Sequence, residues 1–455
     1  MNTHSLRWLF LWVSTFILVI TAHAQPPLAA DFASKAEALI QRYVDDGRFQ
    51  GVVLVRSGGE TLIRRAYGWN NAEWDVPATP AAKFRIGSIT KHFTAAAVLQ
   101  LQEQGQLSVE DRITRFYAEA PAEWSNVTIE NLLRHTSGIF EYTQLPAFQT
   151  RLPQTPAEII ASVHDRPLAF APGTRFEYSN TGYVLLGLIV ERASGLSWAE
   201  YMRRNILDRA GLRDTGYDRT ERVLAQRAAG YRGDGMHLVN ADFVDMTLPY
   251  SAGALYSTAD DLDRWFEALE QGQVITPASF QKMTTPGLGT YGYGFGISQF
   301  NGTPAYTHTG GIHGFATAMM RSPSLRYTAV ILSNIETAPS NDLRSLIGQL
   351  ALGRTLTLPP LRAAISLPNA TLDAIVGRYR LPDDRIISVT RDEEVLLYRE
   401  REGSFEQVVP MWPQSESEFF SRTLPLEFVI QRQGDTVTGI VIRQGNTNTP
   451  TTRVP

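Results

Sequence analysis

Apolar residues near the amino end follow first a strand-like and then a helix-like pattern. Residues 50–55 and 61–67 are rich in β-branched and aliphatic side chains, and Ser57-Gly58-Gly59 separates them, which predicts a β-hairpin after a helix at 33–44. From Ile89 to Gln104 apolar residues are too dense for a half-exposed strand, and a glycine follows as a stop signal. We therefore expect a largely buried helix there.

The middle of the chain is predicted to be helical, and strand patterns return after it. Helix signals occur at residues 128–133, at 180–192 and after the capping box Ser197–Glu200. Strand patterns follow at 293–300, 304–308, 315–321 and 327–333, and a last helix fits 341–352. Because strands from both chain ends flank a helical insertion, we expect an α+β fold: an antiparallel sheet flanked by helices, with an all-helical subdomain.

The carboxyl-terminal part has a pattern of its own. Pro359, Pro360 and Pro368 predict a linker over residues 355–370. Beyond it, short strand patterns at hairpin spacing predict a separate all-β domain over residues 371–455, shaped as a small barrel. Residues 25–354 are then expected to form the larger α+β domain.

The first 24 residues are typical of a secretory signal peptide. Arg7 precedes an apolar run from Trp8 to Ile20, and Ala22-His23-Ala24 matches an A-x-A cleavage site. An uncleaved anchor is the weaker alternative, because the run is shorter than the ~20 residues of a spanning helix. We expect cleavage after Ala24 and a periplasmic or secreted protein with no integral membrane span.

Composition and charge exclude several classes of function. Of 455 residues, 43% are apolar and 19% charged, which indicates a globular chain rather than a disordered one. The net charge of −4 leaves no basic surplus for nucleic acid. The chain has no cysteine, which excludes disulfides and thiolate chemistry, and neither an H-E-x-x-H nor a G-x-S-x-G motif. We expect no metal and no other cofactor, and a fold other than the α/β-hydrolase fold.

Lysine is rare enough to be informative. Of the 42 Lys and Arg residues only 4 are lysine, so a retained lysine can mark a place where an amine must lose its proton. Lys91 lies three residues after Ser88 at the start of the buried helix, which places both side chains on one face. Burial should lower the pKa of this amine, so that it can activate the Ser88 hydroxyl as a nucleophile. The same spacing at Ser279 and Lys282 is interpreted as a solvated helix surface.

The segment from Phe84 to Lys91 resembles the penicillin-recognising serine hydrolases, which include class C β-lactamases, D-Ala-D-Ala carboxypeptidases, D-aminopeptidases and related esterases. The resemblance covers roughly residues 30–350 by the order of its motifs. Its other motifs are Leu132–Gly138, Tyr178-Ser179-Asn180, Ser251–Thr258 and His308-Thr309-Gly310-Gly311. The carboxyl-terminal domain is similar to the lipocalin-like β domains of some family peptidases, and its role is left open.

The resemblance implies a role for each further site residue. Tyr178 would shuttle a proton, with the Lys91 charge favouring its phenolate, and Asn180 would orient the substrate and Lys91. His308 and Thr309 would contact a substrate carboxylate or polarise Tyr178. Gly310 and Gly311 would let the substrate backbone lie close, with the Gly311 and Ser88 N–H groups forming an oxyanion hole. His313 follows within reach of the site, but it has no motif role and is interpreted as a loop histidine.

The resulting hypothesis is a secreted serine hydrolase that acts through an acyl-enzyme on peptides containing D-amino acids, as a D-aminopeptidase or D-Ala-D-Ala carboxypeptidase does. The alternatives are an esterase, a β-lactamase or a non-hydrolytic interaction protein of the same family. His308 stands where many relatives have lysine, and neutral imidazole anchors a carboxylate more weakly, which disfavours β-lactam hydrolysis. The partner is thus a small peptide or ester, and the oligomeric state is left open.

Overall fold

A computed structural model describes residues 31–146, 148–356, 362–402 and 405–455. The predicted signal peptide and Pro359 and Pro360 of the predicted linker lie outside these residues. Within them, no helix has the length and apolar character needed to cross a membrane.

The α-helices of the described residues are, in chain order, α1 Phe32–Asp45, α2 Thr90–Glu103, α3 Ile129–Leu133, α4 Pro156–Ala161, α5 Asn180–Ser194, α6 Trp198–Tyr201, α7 Tyr250–Gly253, α8 Ala259–Glu270, α9 Pro277–Met283, α10 Ser340–Ala351 and α11 Asn369–Ile375. A 3₁₀ turn, Gly87–Ile89, leads into α2, and a π-helical turn, Met202–Leu207, follows α6.

The strands up to residue 333 are β1 Gly51–Ser57, β2 Glu60–Tyr67, β3 Trp69–Asn71, β4 Val76–Pro77, β5 Phe84–Arg85, β6 Gly216–Tyr217, β7 Tyr231–Asp234, β8 His237–Asn240, β9 Leu255–Ser257, β10 Gly296–Phe300, β11 Thr303–Ile312, β12 Phe315–Ser322 and β13 Tyr327–Ser333. The later strands are β14 Gly377–Arg380, β15 Ile386–Asp392, β16 Val395–Glu402, β17 Phe405–Pro413, β18 Glu418–Phe420, β19 Leu426–Gln433, β20 Thr436–Gln444, β21 Thr447–Pro450 and β22 Thr452–Val454.

The central sheet joins both ends of the larger domain. Its strand order is β10-β11-β12-β13-β1-β2, and every neighbouring pair is antiparallel. Side chains of β1 alternate between two cores, with Val52 and Leu54 on one face and Val53 and Val55 on the other. The sheet predicted from both chain ends is confirmed.

Helices cover both faces of this sheet. Helices α1 and α10 pack on one face through residues such as Leu39 and Leu343. The other face carries α8 and the helical cluster around α2 and α5. The whole stretch from Thr90 to Leu101 in α2 is buried, which confirms the expected buried helix and places Lys91 in the interior.

The carboxyl-terminal strands form a nearly closed barrel-like sheet, in the order β21-β20-β19-β18-β17-β16-β15-β14-β22. The predicted all-β fold is confirmed, but β21 and β22 were missed because they are short and polar. Helix α11 begins at Asn369, inside the predicted linker, and contributes Leu372 and Ile375 to the barrel core. The domain boundaries at 354 and 371 remain predictions.

A hairpin of the larger domain, β7–β8, lies against strand β17 of the barrel. The Trp412 indole donates to Asp234 Oδ2 at 2.7 Å, and Arg232 Nη1 lies 2.9 Å from Asp242 and 3.2 Å from Glu406. Apolar contact between Val239 and the outer face of β16 and β17 completes this contact surface. The hairpin is therefore shared between the barrel and the domain that contains the predicted site.

Candidate active site

Ser88 lies in the 3₁₀ turn that leads into α2, directly against strand β11. A Cβ atom on Gly310 would lie 2.0 Å from the Ile86 carbonyl oxygen, so only glycine permits this approach. Gly87 has φ +49°, and a Cβ atom added to it would lie 2.9 Å from the Gly311 carbonyl oxygen. The glycines at 87 and 310 therefore allow β11 to lie beside the serine. The resemblance implied instead that Gly310 and Gly311 let a substrate backbone lie close, and that stays a prediction.

Lys91 is fully buried and has three polar partners. Its Nζ atom lies 3.1 Å from Ser88 Oγ, 2.9 Å from Asn180 Oδ1 and 2.9 Å from the Ala252 carbonyl oxygen. The latter two atoms can only accept hydrogen bonds. A neutral amine donates its two protons to them and keeps its lone pair for the Ser88 hydroxyl.

Burial lowers the pKa of Lys91 to about 7, and the nearby Glu141 carboxylate acts in the opposite direction. The amine is thus partly deprotonated at neutral pH, as the apolar pattern around Lys91 predicted. An uncharged amine next to a hydroxyl is the arrangement that a general base for serine requires.

Asn180 is fixed by a carboxylate that the sequence patterns did not predict. Glu141 accepts hydrogen bonds from the Asn180 backbone N at 2.6 Å, from Asn180 Nδ2 at 3.3 Å and from the Thr181 backbone N at 3.3 Å. It therefore stabilises the amino end of α5 and turns the Asn180 amide oxygen toward Lys91. The available signal was its position three residues after the Leu132–Gly138 motif.

The ring of Tyr178 lies over Lys91, with Nζ 4.8 Å from the ring centroid, and packs against the His135 ring at 4.3 Å. Although 38% of Tyr178 is exposed, burial raises the pKa of its hydroxyl, while a hydrogen bond with Ser88 acts in the opposite direction. The expectation that the Lys91 charge favours the phenolate is therefore wrong. The phenol is neutral at rest, because its own burial disfavours the charged form.

His135 and His308 support the tyrosines of the site. His135 Nδ1 accepts from the Ser179 backbone N at 3.0 Å, which fixes the segment that carries Tyr178.

His308 Nε2 lies 2.8 Å from the Tyr291 hydroxyl, and its Nδ1 lies against the Thr309 carbonyl. Because that carbonyl only accepts, Nδ1 carries the proton and Nε2 accepts from Tyr291.

Burial lowers the pKa of His308 to about 4, so the imidazole is neutral near pH 7. A contact between His308 and a substrate stays a prediction, and it would require one of its two hydrogen bonds to break. Thr309 is exposed on β11.

A cavity of about 730 Å³ opens beside the serine. Ser88, Asn180 and Gly311 line one part of it, and Phe148 and Leu248 add apolar surface. His313 also lines it, in the turn between β11 and β12. This place fits both the expectation that His313 lies within reach of the site and its interpretation as a loop residue.

The second Ser-Lys pair lies elsewhere. Ser279 is buried in α9, with its hydroxyl 3.3 Å from Thr276 Oγ1 at the helix start, so the expected solvated surface is wrong for this serine. In the described residues, no group of three or more His, Asp or Glu side chains is arranged to hold a metal ion.

The Beta-lactamase family profile matches residues 36–352. The chain belongs to the β-lactamase family. Among its relatives, penicillin-binding protein 4* of Bacillus subtilis is 29% identical over 423 residues, which cover 86% of this chain and 92% of that protein. The β-lactamase fold expected from the motifs is therefore confirmed.

Solved structures agree with this assignment. The octameric penicillin-binding protein homologue from Pyrococcus abyssi has a TM-score of 0.64 at 26% identity and covers 92% of this chain and 99% of that one. A penicillin binding protein from Bacillus halodurans has a TM-score of 0.61 at 28% identity, over 68% of this chain and 99% of that one. This β-lactamase-family chain is a serine hydrolase of the penicillin-binding type.

Proposed function

We propose that this β-lactamase-family enzyme cleaves peptides containing D-amino acids through an acyl-enzyme on Ser88. The observation that carries the proposal is the buried amine of Lys91, 3.1 Å from the Ser88 hydroxyl and with a pKa lowered to about 7. The penicillin-binding relatives and the His-Thr-Gly form of the β11 motif, which peptidase members share, favour this substrate class.

In the proposed reaction, Ser88 Oγ attacks the scissile carbonyl and gives its proton to Lys91 Nζ. The N–H groups of Ser88 and Gly311 stabilise the oxyanion. Tyr178, neutral at rest, donates its proton to the leaving amine as the carbon–nitrogen bond breaks, and Lys91 restores that proton. Water then attacks the ester, with the same groups transferring protons in the reverse direction.

Small esters are the second candidate substrates. The apolar surface that Phe148, Val244 and Leu248 add to the cavity accepts a short aliphatic acyl chain, and an ester needs less activation than an amide. The neutral His308, engaged by Tyr291, gives no cationic anchor for the carboxylate of a β-lactam, which places β-lactams third.

The proposed location is the periplasm or the cell exterior, on the evidence of the signal-like first 24 residues. Peptides with D-amino acids occur in bacterial cell walls, so this location fits the substrate class. Mass spectrometry of the amino terminus of the exported protein tests it, because cleavage after Ala24 leaves Gln25 first.

The function is tested with a substrate panel on the wild type and Ser88→Ala. We expect wild-type turnover of D-Ala-containing peptides and p-nitrophenyl esters, slower turnover of nitrocefin, and no turnover of any by Ser88→Ala. A fluorophosphonate probe should label the wild type alone. Ser279→Ala is the matched control and should keep full activity, whereas labelling of Ser88→Ala would contradict the nucleophile assignment.

A further inference from the structure

Glu336 lines the cavity beside Ser88 and has a buried, unpartnered carboxylate oxygen. It follows β13 and lines the same cavity as Ser88 and Asn180. Its Oε2 accepts from the Gly314 backbone N at 2.8 Å, whereas Oε1 is buried and accepts no hydrogen bond from any described residue. A buried carboxylate oxygen without a donor is costly, which indicates that a donor arrives from outside the chain.

The charges around Glu336 favour a cation over an anion. Burial raises the pKa of Glu336 to about 7, and a cation bound beside it would favour its charged form. Arg232 acts in the same direction as such a cation, but its guanidinium binds Asp242 and Glu406. Burial lowers the pKa of His313 to about 4, so this cavity residue adds no positive charge near pH 7. The Asp242 and Glu406 carboxylates thus offset the charge of Arg232, which leaves the Glu336 carboxylate able to attract a cation.

The cavity lies on the acyl side of the proposed reaction. The leaving amine must receive a proton from Tyr178, and Tyr178 is not among the residues that line the cavity. The part of the substrate that stays on Ser88 therefore occupies it. Gly311 and Gly314 are three residues apart, so the Gly314 N–H that holds Glu336 is at most about 10 Å along the chain from the oxyanion position.

We propose that Glu336 and this end of the cavity form a subsite for a primary ammonium group on the acyl portion of the substrate. The span fits the amino terminus of a dipeptidyl group, whose ammonium lies about two residues' length from the scissile carbonyl. The inference rests on the proposed function and makes it more specific: the preferred substrates are short D-amino acid peptides with a free amino terminus.

The test compares L-alanyl-D-alanine p-nitroanilide with its N-acetyl form, on the wild type and Glu336→Gln. Glutamine keeps an oxygen for the Gly314 N–H and loses only the charge. We expect at least a tenfold fall in kcat/KM for the free-amine substrate and less than a twofold change for the acetylated one. Glu270→Gln, which alters a partly buried carboxylate paired with Arg321, is the matched control and should change neither.

The outcomes separate the two proposals. If the wild type turns over neither anilide, the proposed function fails and the subsite fails with it. If the wild type turns over both and Glu336→Gln affects both equally or neither, only the subsite is contradicted. On the wild type alone, L-alanyl-D-alanine should inhibit ester hydrolysis more strongly than its N-acetyl form, and equal inhibition would also overturn the subsite.

Discussion

The Glu141 carboxylate holds Asn180 through both its backbone and its side-chain nitrogen, at 2.6 and 3.3 Å. Because the amide nitrogen of Asn180 is taken by the carboxylate, its oxygen is directed at Lys91 Nζ, 2.9 Å away. Glu141 is thus a positioning residue with two effects, since it orients Asn180 and its charge also raises the pKa of Lys91.

Replacing Glu141 with glutamine should move the pH profile of the enzyme. Loss of the negative charge removes the influence that raises the Lys91 pKa, so the amine deprotonates at lower pH. The acid limb of kcat/KM for a p-nitrophenyl ester should lie near pH 7 in the wild type and shift to lower pH in Glu141→Gln. Asn180 is also held less firmly in this variant, so we expect the plateau value of kcat/KM above the acid limb to fall about tenfold.

Glu158→Gln is the control for this measurement. Glu158 also accepts a hydrogen bond at the start of a helix, from the Thr155 backbone N at 2.7 Å, but it is exposed and no described contact joins it to the site. Its substitution should leave the acid limb in place. An unshifted limb in Glu141→Gln, or an equal shift in both variants, would contradict the electrostatic role of Glu141.

The buried Lys91 should also make stability depend on pH. Its pKa is about 7 in the folded protein and 10.5 in the unfolded chain, so between these values the unfolded state binds the extra proton. The free energy of unfolding therefore rises with pH in this window, by up to about 1.4 kcal/mol per pH unit. Urea unfolding at pH 7, 8 and 9 should show this rise in the wild type relative to Lys91→Met, and parallel curves would contradict it.

Tyr178→Phe should impair amide hydrolysis more than ester hydrolysis. The ring contacts with Lys91 and His135 remain, but the proton donor for the leaving group is lost. We expect kcat/KM for a D-alanyl p-nitroanilide to fall roughly 100- to 1000-fold. p-Nitrophenolate leaves without protonation, so the loss for the ester should be at least tenfold smaller. Equal losses for both substrates would show that Tyr178 does not protonate the leaving group.

The sequence predicted the Ser88–Lys91 pair and the sheet because both depend on short-range patterns. A helical spacing of three residues fixes the pair, and short apolar runs such as β12 and β13, which are buried almost throughout, mark the strands of the sheet. Because arginine supplies most of the positive charge of the chain, Lys91 was identified as one of only 4 lysines. Gly310 was named from the resemblance for the approach of a substrate backbone, and its close contact with the Ile86 carbonyl was not predicted.

Glu141 and Glu336 were missed because their roles arise from tertiary contacts. Glu141 meets Asn180 across 39 positions of chain, and Glu336 meets Gly314 across 22. Neither distance leaves a periodic trace in the sequence. The direction of the Tyr178 pKa shift was wrong for a related reason, because the sequence indicated that Lys91 lies nearby and not how strongly the Tyr178 hydroxyl itself is buried.

Asp234 lies at the contact between the barrel and the β7–β8 hairpin, where its titration should be measurable. It is fully buried, and burial raises its pKa to about 6 although three N–H groups donate to it, from Met236, His237 and Trp412. Its folded pKa is above the unfolded value of 3.8, so its contribution to stability is present below pH 4 and is lost as pH rises through 6.

Trp412→Phe removes the indole donor from Asp234 Oδ2 and keeps an aromatic ring. Above pH 6 the unpartnered oxygen belongs to a buried carboxylate, so we expect a loss of about 1–3 kcal/mol at pH 8. At pH 5 the carboxyl group is protonated and needs the donor less, so the loss should be smaller. Trp74→Phe, at a side chain 81% exposed, is the control and should cost nothing at either pH. A loss in Trp412→Phe that does not depend on pH would indicate ring packing rather than the hydrogen bond, because packing does not titrate.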